Sequence, residues 1–312
     1  MTDVVVVGRV MADIYPTEVG VPLRKQQRFV RYVGGFAGNV CTGLSRLQVA
    51  NAIVSKVGAD GHGEFIRDFL AREGVDVRWL ATDARLHTPV VFCEIFPPER
   101  FPVVMYREPT CPDWELSVDD FDLEAVLDAP IVLLGGTGFA REPSRRTHEE
   151  VIRRHRHRLL CDLDYRPSFW PTASAYREAV QPVLGSADII VGNEDEVRAA
   201  TGTDDATLGV KQLLATGIKV AVLKRGGNGT MLFEGDRMIE IAPVKVEVVN
   251  GLGAGDAFLA ALTQGLICDI PIETAVRRAN WAGAWVAGQL PCSEAMPYLR
   301  HVEQAMQEAV TS

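Results

Sequence analysis

The sequence predicts an α/β fold, a mostly parallel sheet covered by helices on both faces, with a small β-layer added to it. Three observations predict this. Short β-branched apolar runs recur along the chain, amphipathic helical patterns separate most of them, and two segments interrupt the rhythm. Strand alternating with helix signals parallel pairing, because parallel neighbours need a crossover and a helix supplies it.

The runs at 4–7, 52–57, 131–134, 159–163, 188–191 and 220–223 have the length and β-branching of buried strands. The stretches 64–72, 144–155, 173–183 and 207–216 carry helical periodicity and fill the crossover role. The interruptions at about 14–32 and 88–108 read as strands; the second folds around a Pro-rich turn, VVFCEIFPPERFPVVMYREP. Together they predict a β-lid over the strand ends, where open α/β sheets bind ligands. From Gly253 onward the pattern is almost all helical, so the expectation is one main domain, 1–312, plus the lid.

Composition narrows the classes further. Lys plus Arg total 32 against 41 Asp plus Glu, a net charge of -9 that opposes nucleic-acid binding. Six cysteines, at 41, 93, 111, 161, 268 and 292, form no CxxC and read as core thiols in a reducing compartment. The start of the sequence has Asp3 and a short valine run but no basic leader, and no apolar stretch has membrane-span length. A cytoplasmic protein with no membrane partner is expected.

In Asn250-Gly251-Leu252-Gly253-Ala254-Gly255-Asp256, small residues run into a helix whose apolar face repeats at Phe258, Leu262 and Leu266. The N–H groups of Gly253, Ala254 and Gly255 would lack intrahelical partners and carry the positive end of the helix dipole, an anion cradle suited to a phosphoryl group. Asp256, in the same turn, can take a proton from an attacking hydroxyl, or it merely caps its helix. Gly34-Gly35-Phe36-Ala37-Gly38-Asn39 opens another helix, with Val40, Leu44 and Leu47 inward. Gly34 and Gly35 allow close approach of a polyhydroxyl ligand, the Asn39 amide both donates and accepts, and Asp13 can accept hydroxyl donors. Asp13 and Asn39 equally read as turn and cap residues.

The early GG-x(3)-N segment and the late GAGD helix start resemble the two signatures of the ribokinase-like, or PfkB, carbohydrate kinases, and the resemblance spans essentially the whole chain. It implies a three-layer α/β/α sandwich with a β-lid, and transfer of the ATP γ-phosphoryl group to a sugar hydroxyl. Asn193-Glu194-Asp195-Glu196 is similar to the family's N-x-x-E motif, which places Glu196 on the magnesium and phosphate network, through water, with Asn193 beside it. Lys224-Arg225-Gly226-Gly227-Asn228-Gly229 resembles the loop beside the nucleotide, so Lys224, Gly226 and Gly229 are implied there, and Asn280 falls in the helix bordering the adenine. ATP and Mg²⁺ are the implied cofactors, with a monovalent cation allowed, and a homodimer through the lid is an assembly the lid allows.

Two segments point to an acidic sugar. Asp162-Leu163-Asp164-Tyr165-Arg166-Pro167-Ser168-Phe169-Trp170 resembles the D-x-N-x-R-x-x-L/F-W motif of the hexose and ketodeoxygluconate branch, and Tyr106-Arg107 is similar to the pair that holds a sugar-acid carboxylate there. A guanidinium fork suits an oxyanion. The runs around Asp13 and Phe92–Pro98, taken together with those around Arg107 and Asp256, resemble a sugar-acid kinase of the family. By contrast, 153–158, rich in Arg and His, reads as a solvated helix end, His62 and His87 as surface or structural residues, and Trp281 and Trp285 as core. A sugar-sensing protein without turnover would keep the same pocket. A nicotinamide dehydrogenase is disfavoured because Gly8-Arg9-Val10 stands where G-x-G-x-x-G would follow the first strand.

Overall fold

The computed structural model describes residues 2–311. Along the chain run β1 (Val4–Val7), β2 (Met11–Pro16), β3 (Phe29–Gly34), α1 (Phe36–Arg46), β4 (Asn51–Gly58), α2 (Gly61–Arg72), β5 (Leu80–Asp83), β6 (Val90–Cys93) and β7 (Val103–Tyr106). Next come α3 (Leu123–Leu127), β8 (Ile131–Gly135), α4 (Ser144–Arg154), β9 (Arg158–Asp162), α5 (Ala173–Leu184), β10 (Ile189–Asn193), α6 (Glu194–Thr201), α7 (Ala206–Leu214) and β11 (Val220–Lys224). The hairpin β12 (Thr230–Glu234) and β13 (Arg237–Ile241) precedes α8 (Ala254–Ile267), α9 (Ile272–Ala287) and α10 (Leu299–Thr311). Every run read as a strand is one, and the four crossover helices form, with ends displaced by at most three residues.

The chain divides into two compact units, and each is interrupted in sequence. One comprises the chain up to Gly8 with Trp114–Pro243. Its strands run β13-β12-β11-β10-β9-β8-β1, parallel from β1 to β11 and antiparallel over the last two, where short turns replace crossovers. The parallel strands are buried along most of their length, which is why they read as unbroken apolar runs rather than alternating ones. Asp162, Asn193 and Lys224 are the last residues of the adjacent strands β9, β10 and β11, so the register brings their side chains to one edge.

The other unit comprises Arg9–Asp113 and the chain from Val244 onward. It holds the parallel pair β4-β5 and a separate four-stranded sheet, β3-β2-β6-β7, built from the two interrupting segments. One face of that sheet is apolar and packed: Met11, Tyr15, Val91, Cys93 and Ile95 form a core with Cys292, against which Leu252 and Leu290 rest. Helices α8 and α9 meet through small residues, with the Ala275 Cβ 2.5 Å from where a Gly265 Cβ would lie.

Several expectations need correction. Cys268 is exposed just past the end of α8, whereas the other five thiols are buried. Trp285 is also exposed, stacking on His301 and donating to the Ala295 carbonyl, and Trp281 is only half-buried. The buried stripe of α9 runs through Ala275, Ala279, Ala282 and Val286, and Trp285 lies off it. Asp13 sits within β2 rather than in a turn, and Asn39 lies inside α1 rather than capping it. Arg153, Arg154 and Arg156 pair with Glu150, Glu124 and Asp128, as suits a solvated helix end.

Candidate active site

The segment read as an anion cradle is the start of α8. Gly253 precedes α8 with φ 83, a left-handed conformation that glycine adopts without penalty, and a Cβ there would come within 2.8 Å of the Cys292 Cβ. Gly253, Ala254, Gly255 and Asp256 are half-buried, and the Ala254 N–H is engaged only at 3.4 Å, by the Gly251 carbonyl. First-turn amides have no intrahelical partner, so α8 offers donors and positive dipole where Asp256 stands.

Asn39, far away in sequence, meets Asp256: its Nδ2 donates to Oδ2 at 2.7 Å. Asn39 is 4% exposed and its Oδ1 has no partner among the described residues. Asp13 is 7% exposed, with Oδ2 held by the Cys292 thiol at 3.3 Å and Oδ1 likewise unpartnered. Burial pushes the Asp13 carboxyl up to about 7; the Cys292 hydrogen bond and the Arg9 charge oppose the shift, and Asp256 adds to it. Two buried acceptors without donors, beside a carboxylate at a helix start, fit a ligand that brings hydroxyl groups.

The adjoining glycines have a reason inside the chain. A Cβ on Gly34 would lie 2.0 Å from Asp13 Cγ, so the close approach there is that of the Asp13 carboxylate itself. Gly35 stands where a side chain would strike the Arg9 carbonyl at 2.8 Å. Gly34→Ala is therefore expected to expel the Asp13 side chain, weaken binding of a hydroxyl-bearing ligand more than tenfold and cost about 1–3 kcal/mol of stability. Ligand titration and thermal melting of this variant measure both; unchanged ligand affinity would show that the Asp13 position is immaterial.

Arg107, just past β7, is buried and donates to Asp113 at 2.5 Å, and Asp113 also accepts the Val10 N–H at 3.2 Å. Sequence reasoning missed Asp113, which anchors both ends of the four-stranded sheet's path. Tyr106 is 63% exposed, with its ring edge-on to Phe92. Asn280 is half-buried on α9.

In the other unit, Lys224 Nζ lies 3.0 Å from Asp162 and 3.9 Å from Glu196. Asn193 and Glu196 form a reciprocal capping box at the start of α6, so the N-x-x-E motif is also a helix-start device. Burial pushes the Glu196 carboxyl up to about 7; Lys224 opposes, Asp162 adds, and Arg166 and the Asn193 N–H oppose. Asp164, at φ 37, accepts from Thr137 at 2.8 Å and faces Arg166 at 3.2 Å; the Arg166 side chain is 42% exposed. Gly226 and Gly229 form the turn between β11 and β12. Among the described residues no group of three or more His, Cys, Asp or Glu is placed to hold a metal, and none of the helices is long and apolar enough to cross a membrane. Few carboxylates suit Mg²⁺, which keeps its waters and binds chiefly through substrate phosphates.

The profile described as pfkB family carbohydrate kinase matches residues 1–298. The chain is 28% identical to 5-dehydro-2-deoxygluconokinase of Bacillus licheniformis, over 97% of this chain and 95% of that protein. It is 29% identical to the protein of the same name from Shouchella clausii, over 98% and 96%. A PfkB protein from Polaromonas superposes with a TM-score of 0.82 at 25% identity, covering 95% of this chain and 99% of that one. A sugar kinase from Pyrococcus horikoshii in complex with ATP gives 0.81 at 25%, covering 96% of each.

Proposed function

The chain belongs to the pfkB family of carbohydrate kinases, and from that premise we propose that it transfers the γ-phosphoryl group of ATP to the primary 6-hydroxyl of 5-dehydro-2-deoxy-D-gluconate. The observation that carries this reading is the meeting of Asn39 and Asp256 at the α8 start, beside the unpartnered acceptor of Asp13. Asp256 takes the hydroxyl proton as the sugar oxygen attacks phosphorus, and the Asn39 amide fixes the carboxylate by holding Oδ2. The Gly253–Gly255 amides stabilise negative charge gathering on the transferred group. Asp13 and Asn39, with Gly34 and Gly35 beneath them, hold the sugar hydroxyls.

Arg166, and Arg107 with Tyr106, are assigned to the substrate carboxylate, since a planar fork binds such a group through two parallel hydrogen bonds. Asn193, Glu196, Lys224, Gly226, Gly229 and Asn280 are assigned to the nucleotide, with Glu196 acting on the metal through water. Bound Mg²⁺ screens phosphate charge. The relatives named 5-dehydro-2-deoxygluconokinase support this sugar over other substrates of the family.

ADP release should be followed with 5-dehydro-2-deoxygluconate, 2-keto-3-deoxygluconate and fructose, with and without magnesium. The first sugar acid is expected to exceed fructose in kcat/KM by roughly tenfold or more. A higher value for fructose would remove the carboxylate role of Arg107 and Arg166, and a higher value for 2-keto-3-deoxygluconate would reassign the substrate. Sugar binding without ADP release would mark a sensor rather than a kinase.

A further inference from the structure

We propose that Cys292 is a positioning residue for sugar binding: its thiol holds Asp13 Oδ2 and its side chain packs against the Gly253 turn, which leaves Asp13 Oδ1 to receive the substrate hydroxyl. The proposal rests on the assignment of Asp13 to the sugar. Cys292 stands between α9 and α10, fully buried, with Sγ 3.3 Å from Asp13 Oδ2 and 3.4 Å from the Val33 carbonyl. Its Cβ occupies the space that a side chain at 253 would need. It also belongs to the core of the four-stranded sheet, with Met11, Tyr15, Val91, Cys93 and Ile95. One side chain thus touches the Asp13 carboxylate, the Gly253 turn and the packed face of the sheet.

The thiol is the donor in this contact. Burial, and then the Asp13 charge, push Cys292 well above the ordinary thiol range, so it keeps its proton throughout the neutral range. A protonated thiol brings a hydrogen bond without a second charge, where a lysine or arginine would compete with the substrate for Asp13. With one carboxylate oxygen satisfied and the other buried without a partner, the carboxylate has a single rotation that serves both protein and ligand.

The groups that face Asp13 are Arg9 ahead of β2, Tyr15 on β2, Cys93 on β6, Asp256 on α8 and Cys292 itself. Arg9, Tyr15 and Cys292 favour the ionised carboxylate, whereas burial and Asp256 oppose it. Removing the thiol donor raises the Asp13 pKa, so the acid limb of sugar kcat/KM moves to higher pH.

The test compares the full-length enzyme with Cys292→Ala and Cys292→Ser, using the sugar acid and ATP. Ala and Ser differ by one oxygen, so the difference between them reads the hydrogen bond rather than the space. Cys292→Ala is expected to raise the sugar KM about tenfold, with the ATP KM held within about twofold. Its acid limb moves up, and Cys292→Ser restores both. The proposal is overturned if the Ala variant leaves sugar KM and acid limb unmoved, or if Ser is impaired as much as Ala. Should the Ala variant fail to fold, the Ser variant decides alone: an acid limb at or below the wild-type position supports the proposal and one above it overturns it. An Asp13→Asn control separates the premise, because an unchanged sugar KM there removes Asp13 from the sugar whatever Cys292 does.

Discussion

Asp256→Asn is expected to lower kcat by about two to four orders of magnitude while the ADP dissociation constant stays within a few-fold of wild type. The amide oxygen of the substituted side chain can still accept from Asn39 Nδ2, so the contact that fixes the site survives. What disappears is the charge and the capacity to take a proton, both of which matter chiefly as the sugar oxygen attacks. Asp256→Ala removes the Asn39 contact as well and is expected to lose turnover at least as severely. Steady-state kinetics and calorimetric ADP titration measure the two quantities separately. Turnover within tenfold of wild type in the Asn variant would place the proton acceptor elsewhere.

Asp13→Asn should produce opposite effects on activity and on stability. Loss of the carboxylate is expected to raise the sugar KM by about 100-fold, because a charged acceptor for buried hydroxyls is gone. The same change is expected to raise the melting temperature at pH 8 by several degrees. Asp13, pushed up from 3.8 to about 7 chiefly by burial, takes up a proton on folding in that interval. The folded state therefore loses stability as pH rises from about 4 through about 7, by on the order of 4 kcal/mol once the interval is passed. A neutral amide escapes that loss, so its advantage at pH 8 must shrink as the pH falls towards 4. Thermal melts across this range, beside sugar kinetics at one pH, provide the comparison. An equal gain at every pH would mean that ionisation of Asp13 is not what destabilises the fold.

The sheet was legible because its parallel strands are buried on both faces: Val4–Val7 and Ile131–Gly135 are apolar throughout. The helix starts at Phe36 and Ala254 were legible from small residues followed by apolar periodicity. The meeting of Asn39 with Asp256, across 217 residues, and of Asp13 with Cys292, across 279, leaves no trace in local pattern; the resemblance assigned Asn39, Asp256 and Asp13 to the reaction but neither contact, and gave Cys292 no role. Nothing near Cys292 distinguishes it from the other buried thiols, and Asp113 looks like an ordinary loop acid until Arg107 is found beside it. Trp285 misled because a large aromatic residue suggests interior, whereas the inward stripe of α9 is mostly alanine. Exposure of Cys268 follows from its place past the last turn of α8, a boundary that periodicity fixes only loosely.

The interleaving of the two units along the chain has a consequence for biosynthesis. The unit that includes Trp114–Pro243 has all its strands once Pro243 has left the ribosome, whereas Arg9–Asp113 must wait for the helices that begin at Ala254. The segment made early is thus the one that matures late, with Met11 and Tyr15 of β2 and Val91 and Cys93 of β6 lacking part of their permanent covering, Leu252, Leu290 and Cys292, in the interval. Nascent-chain chaperones have their clearest task there, since exposed apolar strands awaiting partners are the species most prone to aggregate.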